Sequence, residues 1–270
     1  MAFKIGFSAG DTTHECFTPQ QKLQQPTTPR KSVVEVFFSS RNRALTYYND
    51  QFDLHCGDMV YVDGKLEGML GRVIDVNYNF KIKLSDYKRV IALADTTVHG
   101  QFFMAGSHFI TFDRNAIPED KVALWFRAPT KDDEIFSVSG DDTSFNLHDL
   151  NGMEIKHESA RRGHEYYIDN RVKYISISEQ RGYAIVQGTI PYEVEFEYHH
   201  GEIHHLTCNC FCSCNCKHEF AAILQLREIL ELIDQNYASE YQNSGYFAAV
   251  TKGILFTYAI NGKESGSFSL

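Results

Sequence analysis

Long apolar runs are missing from this 270-residue chain, and no stretch comes near the roughly eighteen consecutive apolar residues that indicate a transmembrane helix. Residues 1–6 also lack the long apolar region and small-residue cleavage site of a standard signal peptide, so we do not expect export by that route. Apolar residues still make up 43% of the chain and aromatic residues 13%, which excludes a wholly disordered protein.

Positive charge is scarce as well. The chain has 26 Lys and Arg residues against 35 Asp and Glu residues, a formal net charge of −9. A protein that binds nucleic acid through charge over its whole surface needs the opposite balance, because its affinity comes largely from neutralising phosphates. A local basic face remains compatible with this composition.

Several signatures of catalysis are absent. The sequence has no Gly-x-x-x-x-Gly-Lys-Ser/Thr phosphate loop and no Gly-x-Gly-x-x-Gly dinucleotide fingerprint. It also lacks the His-Glu-x-x-His of zinc proteases and the Pro-Cys-x-x-Cys of zinc deaminases. We therefore expect a binding protein rather than an enzyme.

Short β-branched and aromatic runs, separated by Gly, Asp and Asn turns, fill the first half of the chain and are typical of a small antiparallel barrel or sandwich. The predicted fold class is therefore α+β and β-rich, with a barrel-like N-terminal domain. The predicted divisions are a flexible segment at 1–31, the barrel-like domain at 32–128, an acidic linker at 129–150, a cysteine-rich domain at 151–240 and a tail with further strands at 241–270.

Part of the first half resembles a known architecture. Between residues 57 and 76, a Gly57-Asp58 turn precedes one strand and a Gly-x-Val sequence starting at Gly71 begins the next. This order is similar to that of SH3-like barrels, and the resemblance covers about twenty residues.

The second half is organised around a hairpin and a helix. Strand-like residues 194–198 and 203–207 flank a turn at 199–202, and residues 220–233 carry apolar side chains at helical spacing. Residues 80–83 in the first half, and residues 246–250 and 254–260 in the tail, also have the composition of strands.

Cysteine is concentrated in one place, since five of the seven cysteines fall between Cys208 and Cys216. A disulfide framework would spread its cysteines along a shorter chain, and Cys-x-Cys neighbours bridge each other only with strain. The cluster is therefore interpreted as metal ligands in a reducing, cytoplasmic protein. Cys208 and Cys210 follow the hairpin and Cys216 and His218 precede the helix, so ligands from the two elements can meet at one tetrahedral zinc ion.

The pattern Cys-x-Cys, a short spacer and Cys-x-His resembles the SWIM zinc finger. The similarity extends from about residue 160 to 233, where 160–167, 171–172, 186–188 and 192–194 look like the strands that lead into the motif and 221–224 looks like its helix. It implies a ββα zinc domain with one structural Zn²⁺ held by Cys208, Cys210, Cys216 and His218. The spacer also contains Cys212 and Cys214, so a register such as Cys210-x-Cys212 with Cys216-x-His218 stays open.

The resemblance implies a partner that is nucleic acid or protein. We therefore expect a zinc-dependent accessory factor that binds nucleic acid, with an adaptor for a helicase- or nuclease-type machine as the alternative and with no small-molecule substrate or membrane. The candidate nucleic-acid-binding residues form a local basic set beside five acidic residues: Lys156, Arg161, Arg162, Arg171, Lys173 and Arg181.

Overall fold

The computed structural model describes residues 4–6, 29–129, 144–212 and 214–260. Most of the segment 1–31 and the acidic runs at 132–134 and 141–142 lie outside the described residues. Two antiparallel sheets account for most of the described fold, which confirms the β-rich α+β class.

The strands are, in chain order, β1 (Lys4–Gly6), β2 (Ser32–Phe38), β3 (Arg43–Asn49), β4 (Met59–Val62), β5 (Gly71–Asn77), β6 (Val90–Ala94), β7 (Gln101–Ala105), β8 (Phe109–Phe112), β9 (Phe145–Asn146), β10 (Val172–Ser178), β11 (Arg181–Gln187), β12 (Pro191–His199), β13 (Glu202–Cys208) and β14 (Tyr246–Thr251). The α-helices are α1 (Glu119–Phe126), α2 (His157–Ile168), α3 (Lys217–Leu232), α4 (Ala238–Ser244) and α5 (Lys252–Leu255). Short 3₁₀ turns lie at Ser39–Arg41, Leu84–Asp86 and Leu150–Gly152, and π-helical turns lie at Ile233–Tyr237 and Phe256–Ile260. None of the helices in the described ranges is long and apolar enough to cross a membrane.

The smaller sheet has five strands in the order β3-β2-β5-β4-β6. Alternation along β2 buries Val34, Val36 and Phe38, as expected for strands with one face against a core. The predicted barrel is wrong, because neither sheet closes on itself. Closure needs a continuous ladder between the edge strands, whereas β3 and the start of β6 meet at a single bridge between Tyr48 and Arg89.

The larger sheet has nine strands in the order β1-β7-β8-β14-β10-β11-β12-β13-β9. Residues 101–112, which the sequence grouped with the N-terminal barrel, form β7 and β8 and enter this sheet through β14. The strands that lie between β8 and β14 in the chain, including the hairpin, therefore belong to the same sheet as β7 and β8. The predicted hairpin is present as β12 and β13.

Helix α1 joins the two sheets. The indole N–H of the fully buried Trp125 donates to the carbonyl of Asp95 at 2.8 Å, at the end of β6. The hydroxyl of Tyr61 in β4 donates to the carbonyl of Leu124 at 3.0 Å. These two bonds satisfy the polar ends of large aromatic side chains that fill the space around α1.

Helix α3 packs its apolar face on the larger sheet, and the residues that it buries there recur at helical spacing: Ala221, Ala222, Ile223, Leu226 and Ile229. The helix predicted at 220–233 is thus confirmed. Burial of this face supplies most of the stability of such a helix, because isolated helices of this length are marginal in water.

Helix α2 covers residues that the sequence analysis assigned to strands. Residues 160–167 are helical, and Arg161 pairs along the helix with Glu158 at 2.7 Å and with Glu165. Gly163 lies where α2 crosses α3, and a Cβ there would come within 2.8 Å of the Lys217 carbonyl and of the Phe220 Cβ. Gly163 is the buried residue of α2, and the apolar rings of Tyr166 and Tyr167 beside it are only partly buried against the core.

Two other predicted strands are also absent. Residues 254–260 continue helically from α5, because Leu255 and Ala259, four residues apart, both point into the core around Trp125. Residues 80–83 form no strand, and the Phe80 ring instead packs edge-on against Tyr48 at 6.1 Å. Tertiary packing overrides local β propensity at both places.

The crossing of α2 and α3 makes Gly163 a sensitive position. We expect Gly163→Ala to lower the free energy of unfolding by about 1–3 kcal/mol, because overpacking outweighs the better helix propensity of Ala. Urea denaturation of the zinc-loaded chain measures the change. Gly253→Ala is the matched control, since α5 leaves open space around that position. An unchanged midpoint for Gly163→Ala would contradict the close approach.

Candidate metal centre

The end of one hairpin and the start of one helix form the candidate metal centre. Strand β13 ends at Cys208, opposite Val194 of β12, and the chain then turns through Cys210. Asn209 holds this turn to β12, because its backbone N–H donates to the Glu193 carbonyl at 3.1 Å and its side-chain oxygen accepts the Glu193 N–H at 2.9 Å.

Four potential ligand atoms meet at this point. The thiol sulfurs of Cys208, Cys210 and Cys216 and a ring nitrogen of His218 all lie within 4.8 Å of one another. His218 Nδ1 is 3.8 Å from Cys208 Sγ and 3.7 Å from Cys216 Sγ. Tetrahedral zinc with Zn–S near 2.3 Å and Zn–N near 2.0 Å would hold such atoms about 3.6 Å apart. The side chains are thus already spaced for one tetrahedral ion.

Cys216 also begins helix α3. Its sulfur accepts the backbone N–H of Glu219 at 3.5 Å, while the Glu219 carboxylate accepts the backbone N–H of Cys216 at 2.5 Å, so the two residues form a capping box. This places the sulfur at the positive end of the helix, where a thiolate is favoured. One residue therefore serves as metal ligand and helix cap.

Aromatic rings enclose His218. Tyr192 stacks on the imidazole with ring centroids 4.0 Å apart, and the Tyr166 ring lies 5.7 Å away at a tilt. Gly188 leaves room for this stack, since a Cβ there would come within 2.7 Å of the Tyr192 ring and 3.3 Å of His218 Nε2. The packing fixes the imidazole with Nδ1 towards the sulfurs.

Burial sets the protonation of the metal-free site. It lowers the pKa of His218 to about 4, with a further contribution from Lys217 and Arg162, so the imidazole is neutral at pH 7. Burial raises the pKa of the Cys210 thiol to about 12. A hydrogen bond with Cys208, followed by burial, raises the pKa of Cys216. The histidine is therefore ready to bind a cation, whereas these two thiols must first lose protons.

The additional cysteines of the spacer lie outside the cluster. Cys212 and Cys214 are both exposed. The backbone N–H of Cys212 donates a hydrogen bond to the Cys210 sulfur. Within the described ranges, the cluster of Cys208, Cys210, Cys216 and His218 is the one group of His, Cys and acidic residues arranged to hold a metal ion. The arrangement therefore matches the outer register rather than one that uses Cys212 or Cys214.

Most of the predicted basic residues have partners. Besides the helical pairs of Arg161, Arg181 lies 3.6 Å from Glu195 and Arg171 lies 3.6 Å from Asp169. Lys173 is half-buried, donates to the Asn170 carbonyl at 2.8 Å and has a pKa lowered by burial. Lys156, the N-cap of α2, and Arg162 are exposed and form no salt bridge among the described residues, although the Arg162 charge acts on Glu158. Four of the six predicted cations are thus already paired with acidic or carbonyl groups.

A smaller basic group lies beside the metal cluster. The Arg171 guanidinium lies 5.0 Å and the Lys217 ammonium 5.2 Å from the centre of the Tyr166 ring. Arg162 belongs to the same region, since its charge acts on His218. We call Arg162, Tyr166, Arg171 and Lys217 the basic-aromatic group. Sequence reasoning missed Lys217 and Tyr166 as a unit, because the turn of α2 that brings Tyr166 to the metal end was predicted as a strand.

The sequence also contains one pattern that is found in enzymes. Residues 6–10 read Gly-Phe-Ser-Ala-Gly, the Gly-x-Ser-x-Gly pattern of α/β hydrolases. There the pattern follows a strand of an α/β sheet and leads into a helix. Strand β1 instead ends at Gly6 as the antiparallel edge of the larger sheet, and residues 7–10 lie outside the described residues.

No protein-family model, curated protein or solved structure matches the chain. The chemistry of the four-residue cluster and its surroundings therefore carries the functional argument.

Removal of one ligand tests the centre directly. We expect the purified chain to hold one zinc ion, and Cys216→Ser or His218→Ala to weaken zinc binding by at least about 100-fold, since four ligands share some 10–16 kcal/mol in structural zinc sites. Metal analysis after competition with a chelator measures this. Cys214→Ser is the matched control and should retain zinc. Full occupancy in His218→Ala would contradict the ligand set.

Zinc affinity should also rise with pH. Because Cys210 and Cys216 are protonated at pH 7 while His218 is neutral, each zinc ion displaces at least two protons. The apparent association constant should therefore increase by about 100-fold or more from pH 6 to pH 7. Titration against a zinc-selective fluorescent chelator at the two pH values measures this. A change below tenfold would mean that the thiols are already ionised.

Proposed function

We propose that this chain is a non-catalytic zinc protein that binds nucleic acid at the metal end of the molecule. The observation that carries the zinc part is the convergence of Cys208, Cys210, Cys216 and His218 at the junction of β13 and α3. Three thiolates and one imidazole complete a tetrahedral shell and leave no open position for a substrate, which is the arrangement of structural sites.

The order of the ligands supports a relationship to SWIM zinc fingers. A Cys-x-Cys pair at the end of a hairpin and a Cys-x-His pair at the start of a helix are what that resemblance implies. The region upstream departs from it, because residues 160–167 are helical. The proposed relationship therefore rests on the ββα unit itself, from β12 to α3.

The basic-aromatic group supports the choice of nucleic acid. Arg162, Arg171 and Lys217 can contact phosphates, and an aromatic side chain next to the metal loop can stack on an unpaired base. Phe211, which follows the ligand Cys210, is 95% exposed. The Asp169 carboxylate beside Arg171 and the net negative charge of a Cys₃His zinc centre limit the positive potential, so we expect moderate affinity and a preference for single strands.

A protein partner is the second candidate, and the exposed apolar residues near the cluster favour it. Ile190 is 58% exposed two residues before Tyr192, and Ile168 is 60% exposed two residues after Tyr166. With Phe211 they give the metal end apolar side chains that a docking protein could cover. This is the adaptor role expected as the alternative.

Fluorescence anisotropy of the zinc-loaded chain with labelled single- and double-stranded oligonucleotides distinguishes the two. For three phosphate contacts to a single strand, the logarithm of the association constant should fall with the logarithm of salt concentration with a slope of about −2. Arg162→Glu combined with Lys217→Glu should weaken binding at least tenfold without loss of zinc.

Charge reversal at Arg181 is the matched control. Arg181 begins β11, whose other end approaches the metal cluster, and the six residue steps along this strand span about 20 Å. Arg181→Glu should change affinity less than twofold. Equal losses in both variants would place the contact elsewhere, and no binding at low salt would reject the nucleic-acid function in favour of the adaptor.

A further inference from the structure

A cleft of about 590 Å³ opens beyond the C-terminal end of α3, a size typical of small-molecule sites. One wall comes from β7, β8 and the turn after it, and the other from the residues that lead through α4 into β14. Helix α3 has sixteen residues and spans about 24 Å, so the cleft and the metal cluster lie at opposite ends of it.

Aromatic rings dominate the lining of this cleft: Phe103, Phe112, Tyr237, Tyr241, Tyr246 and Phe247. Phe112 and Phe247 are buried and form a fixed floor, and the Tyr237 ring packs on Phe247 with centroids 5.7 Å apart. The Tyr237 hydroxyl donates to the Met104 carbonyl, which ties the helical wall to β7. Packing therefore fixes the rings of Phe112, Tyr237 and Phe247.

The charged groups of the lining are Asp113, Arg114 and Glu240, with a formal sum of −1. Arg114 is already engaged, because its guanidinium donates to the Ser178 hydroxyl at 2.8 Å and lies 4.9 Å from the centre of the Tyr246 ring. Asp113 and Glu240 are exposed at the rim on opposite walls. The Arg114 guanidinium is thus itself a cation placed over an aromatic ring of this wall.

We propose that this cleft binds an organic cation, an alkylammonium or guanidinium group carried on an apolar stem. Aromatic faces attract such cations through their quadrupoles, and carboxylates at the rim add a charge-assisted contact. An anionic ligand would meet Asp113 and Glu240 instead. The cation can arrive as a free small molecule or as a lysine or arginine side chain, and both sources share this chemistry.

Nuclear magnetic resonance titration of the zinc-loaded, isotope-labelled full chain tests the assignment. Choline and its uncharged isostere 3,3-dimethyl-1-butanol differ only in the ammonium charge, so we expect choline to bind at least tenfold more tightly. Blocked lysine and arginine amides form the second arm. Tighter binding of these amides than of choline would identify a peptide side chain as the source, and the reverse a small molecule.

The carboxylates are tested by Asp113→Asn combined with Glu240→Gln, which should weaken binding of the preferred cation at least tenfold. Glu231→Gln combined with Asp234→Asn removes the same charge from exposed positions of α3 and the following turn, outside the lining, and should leave affinity within twofold. Equal affinity for choline and its isostere overturns the proposal, as does equal loss in both double variants or tighter binding of benzoate than of any cation.

Discussion

Three sulfur atoms and one ring nitrogen converge where β13 ends and α3 begins, and most of the C-terminal half depends on that convergence. Cys216 caps the helix, His218 and Glu219 are buried in its first turn, and Cys208 ends the hairpin strand. Burying these polar groups without a shared ligand would be costly. A metal ion held by these four side chains would cross-link hairpin and helix, and its binding free energy would then contribute to folding.

Helices α3 and α2 link this junction to other parts of the fold. Helix α3 lies along the larger sheet and leads through a π-helical turn to α4 and the aromatic cleft. Helix α2 packs on the start of α3 through Gly163 and brings Tyr166, with Arg171 and Lys217 on its ring, to the metal end. One helix therefore connects the metal cluster and the basic-aromatic group with the aromatic cleft, while α1 holds the smaller sheet to the larger one.

The sequence predicted the parts whose signals are local. Five clustered cysteines, a hairpin turn at 199–202 and an apolar face over 220–233 were each visible within a few residues, and they position the four-residue cluster. The fold class followed from strand composition. Strand pairing could not be predicted in this way. Strands β8 and β14 pair through residues more than 130 positions apart, and such a pairing produces no local sequence pattern.

The sequence predictions that proved wrong also have physical reasons. Helix α2 makes its closest contact with α3 through Gly163, which has no side chain. Residues 254–260 are helical because Leu255 and Ala259 are buried in one core, although their neighbours have strand-like composition. The smaller sheet has the turn and strand signals of a barrel but meets its own edge at one bridge. The basic-aromatic group and the aromatic cleft both draw residues from distant segments, so no short motif marks either of them.

X-ray absorption at the zinc edge of the purified full chain tests the central claim most directly. The account predicts three sulfur ligands near 2.3 Å and one nitrogen ligand near 2.0 Å, with no water or carboxylate oxygen in the shell. A shell of four sulfur atoms would contradict it, because Cys212 or Cys214 would then replace His218 as the fourth ligand.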